Sequence, residues 1–461
     1  MAALAARMHG LPVPWKTTLR AMTLTGGSAF ASGLLSLLST KMIAVMLGPA
    51  QMAVLGSLQQ LRQTATVATS LNGQTGLVQG ASALDGEHRR EYVRTTFLLM
   101  ATATLLVTLA LCAAPEAVSI QVGLGSGGGE LIRAMVPAIW VGTAYVFLTA
   151  LLNATGAIRN LAKLQLAAPA SMALLAYPSA RAVAASGPVW FAMLLGVAST
   201  LAAAAALISL RSSASRLDWL TGSGRWWSTG AARRFGAISG SLLLSGTVSS
   251  WVMMTVRAQI LRTEGMSTGG SFDAAWAISM NQAGLVLASL QAHYLPALSR
   301  TTREGRSPEI CRVLTISAIG GAALIAGLTV WRHEVVALLY SIEFRQASRY
   351  LRWTLAGDYL RITSWILSIP MIASANMGAF LTADLVAYGV FAAAAWVFRF
   401  RNPAADSAAM AFIAMYAAHL LFCLGWLIAR REFRPDLRTI GAWLAGLAVV
   451  AGTTALYWET T

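Results

Sequence analysis

The stretch SLLSTKMIAVMLGPA, residues 36–50, is an apolar run broken by one lysine, Lys41, and closed by Gly48-Pro49. It is followed at 57–75 by SLQQLRQTATVATSLNGQT, in which Arg62 lies twelve residues beyond Ala50. A Gly-Pro pair between two apolar runs reads as a turn joining two helices, and the runs are long enough to cross hydrocarbon. At 1.5 Å of rise per residue, Lys41 lies about 10 Å from that turn and Arg62 about 18 Å. A lysine stem reaches several ångströms toward an interface, so snorkelling accounts for Lys41. No stem spans the greater depth. A charge at a helix centre costs about 2.5–3.5 kcal/mol, and Arg62 is therefore expected to face a wet cavity or a partner.

The rest of the chain repeats this pattern. Of 461 residues, 56% are hydrophobic and 11% charged, with a mean hydropathy of +0.62, which predicts an all-α polytopic membrane protein. Apolar spans are expected near 22–47, 51–80, 95–114, 131–153, 164–184, 188–210, 236–258, 273–298, 312–330, 354–375, 379–398, 407–429 and 440–458. That is twelve helices and one more. The N-terminal stretch has no signal-peptide pattern and reads as a cytoplasmic tail. Cys112, Cys311 and Cys423 are scattered in or beside apolar segments, a placement that suits packing rather than a disulfide framework.

The net charge of +16 is explained by topology before any nucleic-acid partner is needed. With the N-terminus inside, twenty-one basic residues fall on the cytoplasmic side and eleven on the outer side. Five of those eleven cluster in 331–362, against the positive-inside trend. The longest cytoplasmic loop, RSSASRLDWLTGSGRWWSTGAARRF (211–235), follows the sixth span, and its Trp226 and Trp227 beside Arg225 and Arg233 suit an interfacial stretch or a plain linker. The expected domains are a tail (1–21), a six-helix lobe (22–210), that linker (211–235), a second six-helix lobe (236–429), and a basic loop with an additional helix (430–461). The heptapeptides GSAFASG (27–33) and GSLLLSG (240–246) hint at a repeat. Two such halves match transporters whose site lies between repeats near the bilayer midplane.

Within the second span Gln59, Arg62, Gln63, Thr66, Thr69, Ser70 and Gly73 share one helical face, and Asn72 closes the run. Gln59, Gln63 and Asn72 are thus candidate sugar-binding groups beside Lys41 and Arg62, where two cations at staggered depths suit a moving anion. The candidate acids for proton coupling or for structure are Asp273, Asp358 and Asp384. Asp358 precedes Arg361 by one turn, so a local pair is its default. Arg257 and Arg361 are further basic candidates. GLGSGG (123–128) follows a membrane helix instead of a strand, so it reads as a flexible loop and not a dinucleotide site. No P-loop, paired-histidine or metal-ligand spacing occurs, so neither a catalytic centre nor a cofactor is expected.

KMIAVMLGPAQMAVLGSLQQL, HYLPALSR, LLYSIEFRQASRYLRW, LAGDYLRITSWILSIPMIA and AFLTADL, in that order between residues 20 and 430, resemble the Wzx-type flippases. These belong to the multidrug/oligosaccharidyl-lipid/polysaccharide exporter superfamily, and the resemblance is to the branch for O-antigen and enterobacterial common antigen units. It implies a V-shaped bundle of two six-helix lobes around a cationic cavity, in the bacterial inner membrane. It also implies a non-enzymatic transporter that moves an undecaprenyl-diphosphate-linked glycan to the periplasmic leaflet by alternating access. A polysaccharide polymerase and a chain-length regulator are the further partners of such a role. Lys41, Asp358 and Asp384 fall on matching positions and Arg361 on a basic one, whereas Gln59 stands where related chains carry the arginine that here is Arg62. The alternatives are a cation-coupled drug exporter of the same superfamily, which would favour acidic and aromatic cavity residues, and a membrane glycan polymerase or glycosyltransferase.

Overall fold

The computed structural model describes residues 15–155, 158–211, 218–221, 224–301, 305–374 and 376–457. The tail residues 1–14, part of the expected linker, and most side chains of HYLPALSR lie outside the described set. Every regular element among the described residues is helical.

A run of helix from Trp15 to Thr69 changes direction at Gly48, where φ is 69° and ψ −176°. Essentially only glycine adopts that conformation. Pro49 follows as the first residue of the next arm, where its missing amide costs nothing. The two arms are α1 (15–47) and α2 (49–69). The expected second span is not one helix: Leu71 and Asn72 take φ of 52° and 44°, so α2 stops and α3 (Gln74–Ala83) restarts the course. The lobe continues through α4 (Gly86–Ala113), the short α5 (Pro115–Gln121) and α6 (Gly129–Ala134), α7 (Val136–Ala154), α8 (Ile158–Ser186) and α9 (Val189–Arg211). GLGSGG forms the α5–α6 turn, and it is fastened, not loose: Glu116 accepts from the Gly127 amide at 2.9 Å and Ser119 donates to the Gly125 carbonyl at 2.7 Å.

After α10 (Asp218–Thr221), the second lobe opens with a run from Thr229 to Arg300 that bends at Gly265, with φ 85° and ψ 171°. Its arms are α11 (229–264) and α12 (266–300). The two bends share one backbone conformation and one place in the helix order. They mark the internal repeat more firmly than the paired heptapeptides do. There follow α13 (Arg306–Val330), α14 (Arg332–Leu339), α15 (Ala347–Ala373), α16 (Met377–Phe398), α17 (Ala404–Ala429) and α18 (Leu437–Leu456). Among the described residues nine helical runs are long and apolar enough to cross a membrane, and three of these, 31–83, 129–154 and 229–282, contain a bend or a break.

The first lobe is held by two apolar clusters, one around Ile43, Leu55, Ile139 and Leu195 and one around Leu77, Tyr92, Phe147 and Leu210. The second lobe has a single cluster running from Val252 to Val450, which also takes in Ala44 of α1. Outward faces are apolar too: Leu105, Leu106 and Leu109 on α4 and Ile316 and Ile319 on α13 are exposed, as a lipid solvent allows. Cys311 and Cys423 are buried as expected, but Cys112 is exposed on α4. The additional helix α18 lies on α13 and α15, where the Tyr359 hydroxyl donates to the Trp443 carbonyl at 2.7 Å. Gly446 makes room for that tyrosine.

Of the 331–362 arginines, Arg332, Arg349 and Arg352 lie near one another, and four of the five have partners. Arg332 donates to the Tyr457 carbonyl at 2.7 Å, Arg349 pairs with Asp406 at 2.7 Å, Arg352 lies over Trp353, and Arg361 pairs with Asp358 at 3.5 Å. The first two tie elements of the second lobe together, whereas these Arg352 and Arg361 contacts lie within α15. In the inter-lobe segment Trp226 stacks on Arg94 of α4, 5.3 Å from ring centre to guanidinium, rather than serving Arg225 or Arg233.

Candidate functional site at the seam of the lobes

Helices α2 and α11 run antiparallel along the seam. At one end Arg257 of α11 reaches Ser57 and Ala53 of α2; midway the Gln60 amide donates to the Ser250 carbonyl at 3.5 Å; at the other end the Asn72 amide donates to the Leu242 carbonyl at 2.7 Å. Asn72 is therefore a tie between lobes at a helix break, and its left-handed φ is one that asparagine tolerates. Gln59 is half-buried and Gln63 exposed on the polar face of α2.

The end of the bundle that carries Gly48 is closed. The Arg257 guanidinium is buried, and it donates to Ser57 Oγ at 2.6 Å, to the Ala53 carbonyl at 2.7 Å and, through Nε, to Asp273 Oδ1 at 2.7 Å. Its second nitrogen also contacts Asp273 Oδ2. One arginine thus joins α11, α12 and α2, and Asp273 is its counter-ion. Lys41 has a partner: its ammonium donates to the Leu338 carbonyl near the C-terminus of α14. Helix C-termini favour cations, so the contact is electrostatically sound. Arg262 donates to the Ile120 carbonyl, and Gly270 packs on the Pro49 carbonyl. Apart from the Arg257–Asp273 pair, which lies within the second lobe, each of these contacts joins the first lobe to the second.

Arg62 goes elsewhere. Its side chain lines a cavity of about 130 Å³ inside the first lobe, with Thr66 on α2, Gly142 and Tyr145 on α7, Met172 on α8 and Ser199 on α9. Among the described residues its buried Nε has no hydrogen-bond partner. The hairpin thus sends its two cations apart, Lys41 to the second lobe and Arg62 into the first.

The acids of the second lobe form two neighbouring groups. Asp358 on α15 is buried and accepts from Ser279 at 2.7 Å and Gln282 at 2.8 Å, both on α12, beside its Arg361 pair. Asp384 on α16 accepts from Ser245 of α11 at 2.6 Å and lies 3.9 Å from His419 Nε2 on α17. Tyr416, beneath the Arg361 guanidinium at 5.8 Å and near His419, stands between them. Ser57, Ser245 and His419 were not singled out by sequence. Their partners are 139 to 200 residues away for the two serines and 35 for the histidine, and serine carries no compositional signal in a membrane helix. Among the described residues no cluster of metal-ligating side chains occurs.

No protein-family model matches the chain. The Lipid III flippases of Escherichia coli K12 and Shigella flexneri are each 24% identical to it over 212 residues, 45% of this chain and 50% of theirs. The chain therefore matches about half the length of these curated relatives. Among solved structures, the Lipid II flippase MurJ in an inward closed conformation has a TM-score of 0.69 at 12% identity, covering 96% of this chain and 99% of that one. An inward-facing multidrug resistance MATE family transporter of the MOP superfamily has a TM-score of 0.75 at 13% identity, covering 87% and 96%. The fold is that of these transporters.

Proposed function

We propose that the chain is a flippase for a polyprenyl-diphosphate-linked oligosaccharide, acting by alternating access in a bacterial inner membrane with its N-terminus in the cytoplasm. The observation that carries this reading is the charge of the first lobe. Its long apolar helices hold Lys41 and Arg62, while of its five carboxylates Asp85 stands at the N-cap of α4, Glu87, Glu91 and Glu130 lie in the first two turns of helices, and Glu116 is in α5. An interior that is positive and lacks acids suits an anionic cargo. The similarity to proteins named Lipid III flippase points the same way.

A diphosphate-linked glycan cannot cross hydrocarbon unaided, because its charges and hydroxyls would lose their water. In the proposed cycle the glycan and diphosphate lie between the lobes and the polyprenyl tail stays in lipid. In this reading the contacts at the Gly48 end hold the outer side shut. Parting of the lobes there frees Lys41 from the Leu338 carbonyl and offers its ammonium to the diphosphate. Gln59 and Gln63 hydrogen-bond sugar hydroxyls. The Asp384–His419 pair, on helices that pack against α11, is the proposed coupling point to protons. O-antigen or another surface polysaccharide is the proposed product, with a polymerase and a chain-length regulator downstream.

The acids of the second lobe and the MATE-like fold favour a second reading, a cation-coupled drug exporter. Expression in a strain lacking its own O-antigen flippase separates the two. Restored surface glycan is the expected result; no restoration, together with lowered drug accumulation, would establish the exporter instead.

A further inference from the structure

Arg62 presents an unsolved electrostatic problem inside the first lobe. A guanidinium is always protonated, and burying it without a counter-charge is costly. Asp273, Asp358 and Asp384 belong to the second lobe and face other partners, as described above. None of the first lobe's five carboxylates pairs with Arg62 among the described residues. The cavity that receives the side chain is mainly apolar, with Val146, Met172 and Leu195 in its wall, but two hydroxyls are set into that lining. Thr66 and Ser199 line it from α2 and α9, and among the described residues neither hydroxyl has a hydrogen-bond partner. Small residues leave the room: Gly142, Ala168, Ala198 and Ala202 face the same space. A Cβ at Gly142 would stand 3.6 Å from Thr66 Oγ1, so even one methyl would enter it.

We infer that this cavity is an anion site in which Arg62 supplies the charge and Thr66 and Ser199 donate hydroxyl hydrogens to one small monovalent anion. The cavity has room for a small anion with its water: about 130 Å³ holds several waters, and a carboxylate or a halide is of that size. The anion comes from one of two sources: the acidic substituent of a uronic-acid sugar on the cargo, or a free inorganic anion such as chloride. The first source rests on the flippase reading and the second does not. Either one separates Arg62 from the diphosphate, which falls to Lys41.

The test is thermal unfolding of the purified full-length chain in detergent, at constant ionic strength, in chloride, acetate, glucuronate or a bulky aromatic sulfonate. Chloride or the carboxylates should raise the midpoint by at least about 2 °C over the sulfonate at saturation. Arg62→Gln should abolish the difference while leaving the protein folded, because it removes an uncompensated charge. Thr66→Val keeps the arginine and the shape, and should weaken the apparent affinity about tenfold, the equivalent of one lost charged hydrogen bond. Gly142→Ala should weaken it by occupying the space. Preference for glucuronate over chloride assigns the site to the cargo; preference for chloride assigns it to a free ion. Equal midpoints in all four salts, or an anion response that survives Arg62→Gln, would overturn the site. No lipid-linked substrate enters the measurement, so its outcome is independent of whether the chain restores surface glycan.

Discussion

At the scale of single residues, the chemistry divides between groups that seal the bundle and groups that stay unpaired. Arg257 belongs to the first kind. Replacing it with alanine leaves Asp273 without its counter-ion and breaks the donation to Ser57 and Ala53. Loss of one member of such a pair typically costs about 3–5 kcal/mol. Chemical or thermal unfolding of Arg257→Ala should show a loss of that order, and Arg257→Lys should recover only part of it, since an ammonium cannot serve four acceptors in fork geometry. The two second-lobe acids should behave differently from each other. Asp358→Asn strips the ion pair from a half-buried Arg361 and should lower the yield of folded protein. Asp384→Asn keeps the Ser245 contact and should fold normally, yet lower surface-glycan display about tenfold or more if the carboxylate carries protons. Normal display in Asp384→Asn cells would remove this residue from the coupling scheme. Much of this division was legible in the sequence, but not its wiring. Arg62 stood out because no side chain could carry its charge to an interface. Its orientation into one lobe, away from Lys41, depended on side chains of α7, α8 and α9 that no local pattern ties to α2.

At the scale of elements, the decisive joints are glycines. Gly48 and Gly265 hold the same positive-φ extended conformation, and each turns a helix of one lobe into the next without a loop. The first was legible because Pro49 follows it. The second had no such flag, and the sequence suggested a loop between residues 258 and 273 where helix in fact continues on both sides of one residue. The two sites also differ in surroundings, which makes them a controlled pair. A Cβ at Gly265 meets nothing within 4 Å, so Gly265→Ala measures backbone strain alone, about 1–3 kcal/mol. A Cβ at Gly48 comes within 2.8 Å of the Glu343 carboxylate, the exposed end of a flexible side chain that can swing aside, so Gly48→Ala should cost only slightly more. Adding Glu343→Ala should remove that small excess in an unfolding experiment. The break between α2 and α3 was equally hidden, because the apolar run continues through it and only the dihedrals of Leu71 and Asn72 interrupt the helix.

At the scale of the whole molecule, two lobes and a thirteenth span could be read from apolar periodicity and from the position of the basic linker. The relation between the lobes could not, since it rests on contacts such as Lys41 with Leu338, 297 residues apart. Those contacts define the closed end of the described state, and alternating access requires them to break. The lobes should therefore be lockable there. With cysteines at positions 41 and 338, a short thiol-reactive linker that contains a cleavable disulfide would hold α1 against α14. Cells carrying Lys41→Cys and Leu338→Cys should display glycan at a reduced level before treatment, because the ammonium is gone, and at none after it. Reduction of the linker should return display to the untreated level. Either single-cysteine variant, given the same reagent, should not change, which separates locking from simple modification. Undiminished display in fully cross-linked cells would mean that the Gly48 end stays shut while cargo passes. Translocation would then have to run along the lobes' lipid-facing surface, and the seam between α2 and α11 would be a structural joint and not part of the path.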